Sequence, residues 1–300
     1  MTAEPRRAVL GQNQYGKAET RVVRITRNGS THHLKDLNVS VSLSGNMDDV
    51  HLTGANTHVL TTDATKNTVF AFAKEHGIAS AEEFGIRLAR HFVGSQEPIG
   101  SALIRVEEYA WDRIEAPDAG GARHSFVRAG RETRTAEVRY DGEEWEVVSG
   151  LEGLVVLNST DSEFHGYVKD RYTTLPETRD RVLATQVNAR WRHGSTDADW
   201  DASWARARDH LLHAFAGTYS YSLQQTLYAM GTRVVEHLPE VEEIRLSLPN
   251  KHHFLVDLEP FGLKNDNEVY YAADRPYGLI EATVLREGAR QRIPVHPARP

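Results

Sequence analysis

Between Leu157 and Arg181 the chain gathers side chains suited to gripping a flat, negatively charged molecule. The stretch opens Leu157-Asn158-Ser159-Thr160-Asp161-Ser162-Glu163-Phe164-His165-Gly166-Tyr167, continues through Val168 to Asp170, and closes Arg171-Tyr172-Thr173-Thr174-Leu175-Pro176-Glu177-Thr178-Arg179-Asp180-Arg181. A polar connection this long between strand-like segments is either functional or disordered. Phe164, Tyr167, Tyr172 and Leu175 are anchors that a disordered segment lacks. Pro176 suits a first helical position, so a turn of helix is predicted before Arg181. Phe164 supplies a ring face, Arg181 a planar fork of donors, and the serines and threonines supply hydroxyls. That set suits a planar, anionic, heteroaromatic ligand. Each residue also has an ordinary alternative. A lone phenylalanine is most often core. Arg181 could form a surface ion pair with Asp180 or Glu177, worth about 0–1 kcal/mol, although Arg179 fits that role better.

The elements that must position these groups follow from periodicity. Arg21 to Arg27 is rich in β-branched residues and ends at Asn28-Gly29, a strong hairpin signal. The return strand alternates, with Leu37, Val39, Val41 and Leu43 on one face and Asn38, Ser40 and Ser42 on the other. Asp63 is placed to cap a helix running through Lys74, with Phe70 and Ala73 inward. Ser80 and Glu83 form a capping box opening a helix with Phe84, Leu88 and Phe92 on one stripe. Leu103 to Trp111 and His124 to Ala129 read as strands. The same order then begins again. Thr133 to Tyr140 and Glu143 to Ser149 flank Asp141-Gly142, and Val182 to Trp191 reads as a strand. Asp201 to Phe215 and Ser222 to His237 read as helices, with Ala205, Leu212 and Phe215 toward a core. Glu242 to Leu248 and His253 to Leu258 read as strands around Pro249-Asn250. Repetition of hairpin, two helices and further strands, without residue identity between the halves, predicts an α+β fold with helices on one face of an antiparallel sheet. Long sheets of this kind leave edges that need covering.

Composition narrows the chemistry. The 300 residues suffice for one large or two ordinary domains. Forty-two acidic side chains against thirty-five basic ones give no support to nucleic-acid binding. With no cysteine there is no disulfide framework, thiolate metal site or cysteine nucleophile. No apolar run is long enough to span a bilayer, which argues against a membrane partner. Met1 to Gln14 carries two arginines but no apolar core, so it does not read as a secretory signal. The chain ends Ala298-Arg299-Pro300, not Ser-Lys-Leu. A prokaryotic cytoplasm is the simplest expectation. His32-His33 on a strand would point to opposite faces and chelate one ion poorly. No Gly-rich phosphate loop opens a helix after a strand. No metal and no cofactor are therefore expected.

Four separated motifs, in order, carry a resemblance. The 157–181 stretch resembles the signature of the urate oxidase (uricase) family: an apolar strand, Ser-Thr, Ser-x-Phe, two further aromatics, Leu and Arg at fixed spacing. Tyr15-Gly16-Lys17, Thr61-Thr62-Asp63-Ala64-Thr65-Lys66-Asn67-Thr68 and Leu248-Pro249-Asn250-Lys251-His252 are similar to other stretches of that family. The likeness extends to Gly278-Leu279-Ile280, with Asn158 standing where many members carry lysine. It implies two tandem tunnelling-fold (T-fold) modules, residues 15–140 and 141–300 behind a flexible 1–14, pairing into barrels in a homotetramer with active sites between subunits. It implies a reaction without cofactor: urate, oxygen and water give 5-hydroxyisourate and hydrogen peroxide.

The resemblance also assigns roles. Phe164 would stack on the purine and Arg181 would bind its carbonyl and adjacent nitrogen bidentately. Gln224 would read the opposite edge with the Leu223 amide, although by helix position alone Gln225 is an equal candidate. Lys17, Thr62 and His252 resemble a proton relay, in which a lysine of lowered pKa acts as base, a hydroxyl passes the proton and a histidine completes the path. Taken singly, Lys17 would read as a solvated lysine and His252 as a satisfied core histidine. His252 is chosen over His253 by the Pro-Asn-Lys-His motif. The Asp63 amide would hold substrate, and Asn250 would hold oxygen or water over the ring, alongside an ordinary role in a turn. Two rival functions remain. Another T-fold enzyme acting on a pterin or purine would bind a similar heterocycle, but the zinc or thiol chemistry common there needs cysteines. A non-catalytic purine-binding protein would not need Lys17, Thr62 and His252 together.

Overall fold

The computed structural model describes residues 7–115, 124–130, 132–273 and 275–295. Contacts divide the chain into two compact units, Met1–Gly130 with Thr135–Val148, and Arg131–Arg134 with Ser149–Pro300. The expected flexible segment 1–14 falls partly on residues 1–6, outside the described residues, as do Ala298 to Pro300; residues 7–14 form no regular element.

In the first unit β1 (Tyr15–Asn28) and β2 (Thr31–Gly45) form an antiparallel hairpin. Asn28 ends β1 opposite Thr31, so the turn is Gly29-Ser30, one residue later than Asn28-Gly29 suggests. A short helix α1 (Asp48–Leu52) precedes α2 (Thr62–Glu75) and α3 (Ala81–Ser95), and β3 (Ile99–Glu108) returns beside β2. A small ribbon of β4 (Trp111–Arg113) and β5 (Phe126–Arg128) leads to β6 (Thr133–Tyr140), and the strand order is β1-β2-β3-β6. The apolar face of β2 is buried as its alternation requires, and Phe84, Leu88 and Phe92 of α3 are fully enclosed. Burying each such side chain contributes roughly 1.5–3 kcal/mol. In α2, Val69 and Ala73 face inward but Phe70 is 43% exposed. The stripe repeats from Thr65 at i+4, which places Phe70 on the flank.

The second unit repeats the order with β7 (Trp145–Asn158), β8 (Leu183–His193), α4 (Trp200–Gly217), α5 (Leu223–His237), β9 (Val241–Pro249) and β12 (Leu279–Leu285). Its strand order is β7-β8-β9-β12, with β10 (His252–Leu255) and β11 (Tyr270–Ala273) as a separate two-stranded arm. Asp141-Gly142 lies in a four-residue loop whose form is set by Asp141: its carboxylate accepts from the amides of Glu143 and Glu144. It joins β6 to its sheet neighbour β7, the second hairpin that Asp141-Gly142 signals, with a loop of four residues where the signal suggests two. In α4 the buried stripe is Ser203, Ala207, Leu211, Ala214 and Phe215, while Ala205 is exposed and Leu212 packs at the core's margin. The stripe repeats from Ser203 at i+4, which puts Ala205, two residues on, on the opposite face. His253 to Leu258 is shorter than expected as a strand and pairs with β11.

One residue-level echo links the halves. A Cβ on Gly85 of α3 would sit 2.9 Å from Val138 of β6, and one on Gly231 of α5 would sit 2.6 Å from Val284 of β12. Both pairs are 53 residues apart, 85 to 138 and 231 to 284. In each unit the last helix lies close against the fourth strand of the order because its contact residue has no side chain.

Candidate active site

The 159–182 connection is irregular yet pinned at three places. Phe164 and Thr178 exchange both backbone hydrogen bonds, at 2.9 and 3.0 Å. The Arg181 amide donates to the Ser162 carbonyl at 3.0 Å, and the Glu163 amide to the Ser220 carbonyl at 2.7 Å. The predicted turn of helix after Pro176 is absent: the segment is extended, because Thr178 and Arg181 spend their backbone groups on the opposite limb of the loop.

This frame puts Phe164 and Arg181 side by side. The Arg181 guanidinium lies 5.1 Å from the centre of the Phe164 ring, whose other neighbour is Tyr167, stacked at 4.8 Å. Arg181 Nε donates to the buried Ser162 hydroxyl at 3.2 Å. Among the described residues no carboxylate stands within ion-pair distance of Arg181. Glu177 takes Lys169, and Asp180 accepts from Thr160. Arg179 plays the surface role expected of it, exposed and 3.7 Å from Glu163. Burial pulls the Arg181 pKa down, yet a guanidinium stays charged in a protein. A half-buried cation without a compensating anion awaits one.

Two more predicted residues gather here. His252 opens β10, with its pKa lowered by burial first and then by Arg181 and His253. His253 is turned back to the Lys251 carbonyl at 3.0 Å. Asn250 extends the sheet: it bridges Thr185, and its amide donates to the Gly278 carbonyl at 2.8 Å. Sheet pairing takes the place of the expected turn role.

Beside Phe164, the Ser220 pairing leads into α5. Ser222 caps this helix, accepting from the Gln225 amide at 3.2 Å. The Gln225 side chain reaches back to the Tyr221 amide at 2.8 Å, so it is committed to the cap. Gln224 is exposed and makes no hydrogen bond among the described residues. The choice between the two glutamines, open by sequence, thus has a structural reason. The Leu223 and Gln224 amides precede the first bonded amides of the helix and keep their donors free.

The first unit holds a second group. Lys17 stands where Gly16 lets the strands close in: a Cβ on Gly16 would lie 1.9 Å from the Val41 carbonyl oxygen. Just beyond Lys17 a bulge shifts the β1–β2 register before Thr20, with Glu19 at φ 56° and its amide donating to Ser40 Oγ at 2.9 Å. Such a bulge re-aims the side chains beside it. Thr61, not Asp63, caps α2, its hydroxyl accepting from the Ala64 amide at 3.1 Å. Asp63 lies one residue past the first helical position, too far in to cap. Its carboxylate takes Lys66 and Asn67, and its pKa is lowered mainly by Lys66 and in smaller part by Lys17. Lys17, Thr62 and Asp63 are therefore neighbours, and the Thr62 and Asp63 amides are free as those of Leu223 and Gln224 are.

A cavity of ≈ 390 Å³ in the first unit, between Arg24, His33, Lys35, Trp111, Arg113 and Phe126, contains none of the predicted site residues. Among the described residues no group of three or more His, Asp or Glu is placed to hold a metal, and no helix is long and apolar enough to cross a membrane. Sequence reasoning passed over Ser162 and the capping role of Gln225. The available signal for the second was Ser222 with Gln225 three residues on.

The uricase family model matches residues 13–139 and 147–281. The uricase of Arthrobacter globiformis is 52% identical over 294 residues, covering 98% of this chain and 95% of its own. The uricase of the rabbit Oryctolagus cuniculus is 38% identical, covering 91% and 93%. The crystal structure of the Arthrobacter globiformis uricase superimposes with a TM-score of 0.92 at 53% identity, covering 96% of this chain and 99% of that one. A uricase from Bacillus fastidious shares the fold, with a TM-score of 0.80 at 23% identity over 93% of this chain and 95% of that one. With both halves matched by one family model and nearly the whole chain aligned, this chain belongs to the uricase family.

Proposed function

We propose that this chain oxidises urate with oxygen and water to 5-hydroxyisourate and hydrogen peroxide, without a cofactor. We further propose that the two units are the two T-fold modules, and that each site takes the Lys17 group from one subunit of a homotetramer and the Arg181 group from another. The observation that carries the substrate reading is Arg181, half-buried beside the Phe164 ring with no carboxylate in ion-pair reach among the described residues.

Urate is a flat anion. Its ring stacks on Phe164, and its carbonyl and neighbouring nitrogen accept from the guanidinium fork. The Gln224 side chain and Leu223 amide read the opposite edge, and the Thr62 and Asp63 amides close the remaining one. Lys17, through the Thr62 hydroxyl, takes a proton from bound urate, and His252, held neutral by burial and by Arg181, completes the relay. The resulting dianion is electron-rich enough to pass two electrons to oxygen held beside Asn250. Water then adds its hydroxide to the oxidised ring and releases one proton; that proton and the one taken from urate through the relay complete hydrogen peroxide, leaving 5-hydroxyisourate as its anion. Positioning and charge placement are the protein's whole contribution.

The test uses Thr62→Ala and Arg181→Ala, each nearly inactive alone, co-expressed and co-purified. The heteromer is treated with chelator and assayed by loss of urate absorbance together with oxygen uptake. Chelated wild-type protein should stay fully active. For random equal pairing across a two-fold, about half the dimers are mixed and one site in two of each is intact, so activity should recover to about a quarter of wild type in the whole co-expressed pool and about half in isolated mixed dimers. No recovery in a heteromer proven by mass refutes the shared site. Loss of wild-type turnover on chelation, restored by one metal, refutes the cofactor-free reaction.

A further inference from the structure

The arginines of the second unit differ in what holds them. Arg192 is held by Glu242 and Glu243, Arg208 by Glu132, Arg134 by Asp201, Arg206 by Glu240 and Arg245 by Glu281. Arg181 is held by a serine. Its Nε donates to Ser162 Oγ at 3.2 Å, and its amide donates to the Ser162 carbonyl at 3.0 Å, so one residue grips both its side chain and its backbone. Ser162 is completely buried and is fixed in turn by its parallel bridge to Ser220, itself buried. Its hydroxyl lies two residues from Phe164, over whose ring the guanidinium sits.

We propose that Ser162 is a positioning residue for urate binding: it aims the Arg181 fork while adding no negative charge. A guanidinium has five N–H donors. Engaging Nε fixes the plane of the group and leaves the four N–H bonds on Nη1 and Nη2 for a ligand. A carboxylate in Ser162's place would orient the arginine equally well but would neutralise it and compete with the substrate anion. A hydrophobic residue would leave the charge available and the fork unaimed. The hydroxyl alone satisfies both requirements. This rests on the reading of Arg181 as the urate-binding arginine.

The test is urate affinity under anaerobic conditions, with steady-state kinetics and thermal melting alongside. Ser162→Ala should raise the urate Kd and KM about tenfold, the usual scale for one hydrogen bond to a charged group, with kcat within about twofold. Ser162→Thr, which keeps the acceptor, should restore affinity. Ser162→Asp should weaken binding further than Ser162→Ala. In an Arg181→Lys background, where no Nε fork exists, Ser162→Ala should change Kd less than about twofold, since its effect passes through Arg181. A tenfold effect in both backgrounds, or wild-type affinity in a folded Ser162→Ala protein, overturns the proposal. Should Ser162→Ala fail to fold, Ser162→Cys, nearly isosteric and a weak acceptor, takes its place with the same expectations. If Arg181→Ala itself binds urate normally, the reading of Arg181 and this inference fall together. If it does not, while Ser162→Ala binds normally, this inference falls alone.

Discussion

The two groups of site residues use the same helix-end device in opposite electrostatic settings. In α2 the Thr61 cap occupies the Ala64 and Thr65 amides and leaves those of Thr62 and Asp63; in α5 the Ser222 cap occupies the Gln225 and Thr226 amides and leaves those of Leu223 and Gln224. Around α2 the charges are compensated and exposed: Asp63 already holds Lys66 and Asn67, and it feels Lys17. Around α5 the charge is half-buried and uncompensated, with Arg181 on a hydroxyl and a ring. A half-buried cation with no carboxylate partner among the described residues is suited to holding an anion. That contrast matches the proposed division between a proton-transferring group and an anion-binding group.

The largest break in that comparison should come from Gly16. Gly16→Ala would place a methyl group 1.9 Å from the Val41 carbonyl oxygen, so the strands must part where Lys17 is aimed. Overpacking of this kind costs about 1–3 kcal/mol, and a displacement near 1 Å of a catalytic group costs about 100-fold in rate. We expect kcat to fall on that scale while anaerobic urate affinity, supplied by the Arg181 group, changes little. Equal losses in kcat and affinity would show that Lys17 belongs to binding as much as to proton transfer.

A smaller effect should separate two adjacent glutamines. Gln224→Ala removes a side chain that has no partner within the described residues, so melting temperature should hold while KM for urate rises about fivefold, the value of one neutral hydrogen bond. Gln225→Ala removes the contact to the Tyr221 amide. It should lower stability by about 0.5–1 kcal/mol, as cap losses do, with KM unchanged. The reverse pattern in melting and kinetics would exchange the two roles.

What was legible in the sequence divides along similar lines. The buried face of β2 and the α3 stripe were legible because alternation and 3.6-residue spacing answer directly to burial. That Phe164 and Arg181 belong to one connection was legible, and the structure sets the guanidinium 5.1 Å from the ring centre. The extended run after Pro176 was not, because its geometry is imposed by backbone bonds to Phe164 and Ser162, which lie 14 and 19 residues away from Thr178 and Arg181. Asp63 misled because an acidic residue near a helix start fits both the cap and the first turn; Thr61 takes the cap. The internal repeat was legible only as element order. Its one residue-level trace, the glycine facing a valine at 53-residue spacing, serves helix–strand approach and has no periodic neighbours to announce it.

The smallest predicted effect concerns the proton chemistry at His252. Its pKa is lowered first by burial and then by the positive charge of Arg181, with His253 adding to the same sense. A positive neighbour disfavours imidazolium, so removing that neighbour must raise the pKa, though burial keeps it from full recovery. In Arg181→Gln the His252 ring resonance, followed by NMR on histidine-labelled protein without substrate, should titrate at higher pH than in wild type. The direction carries the mechanism: at neutral pH the wild-type ring is unprotonated and ready to take a place in the relay, and acid should silence it only below the ordinary histidine range. An unchanged or lowered His252 titration in Arg181→Gln would separate the two residues electrically. His252 would then owe its neutrality to burial alone, and the Arg181 group would bind the anion without tuning the base beside it.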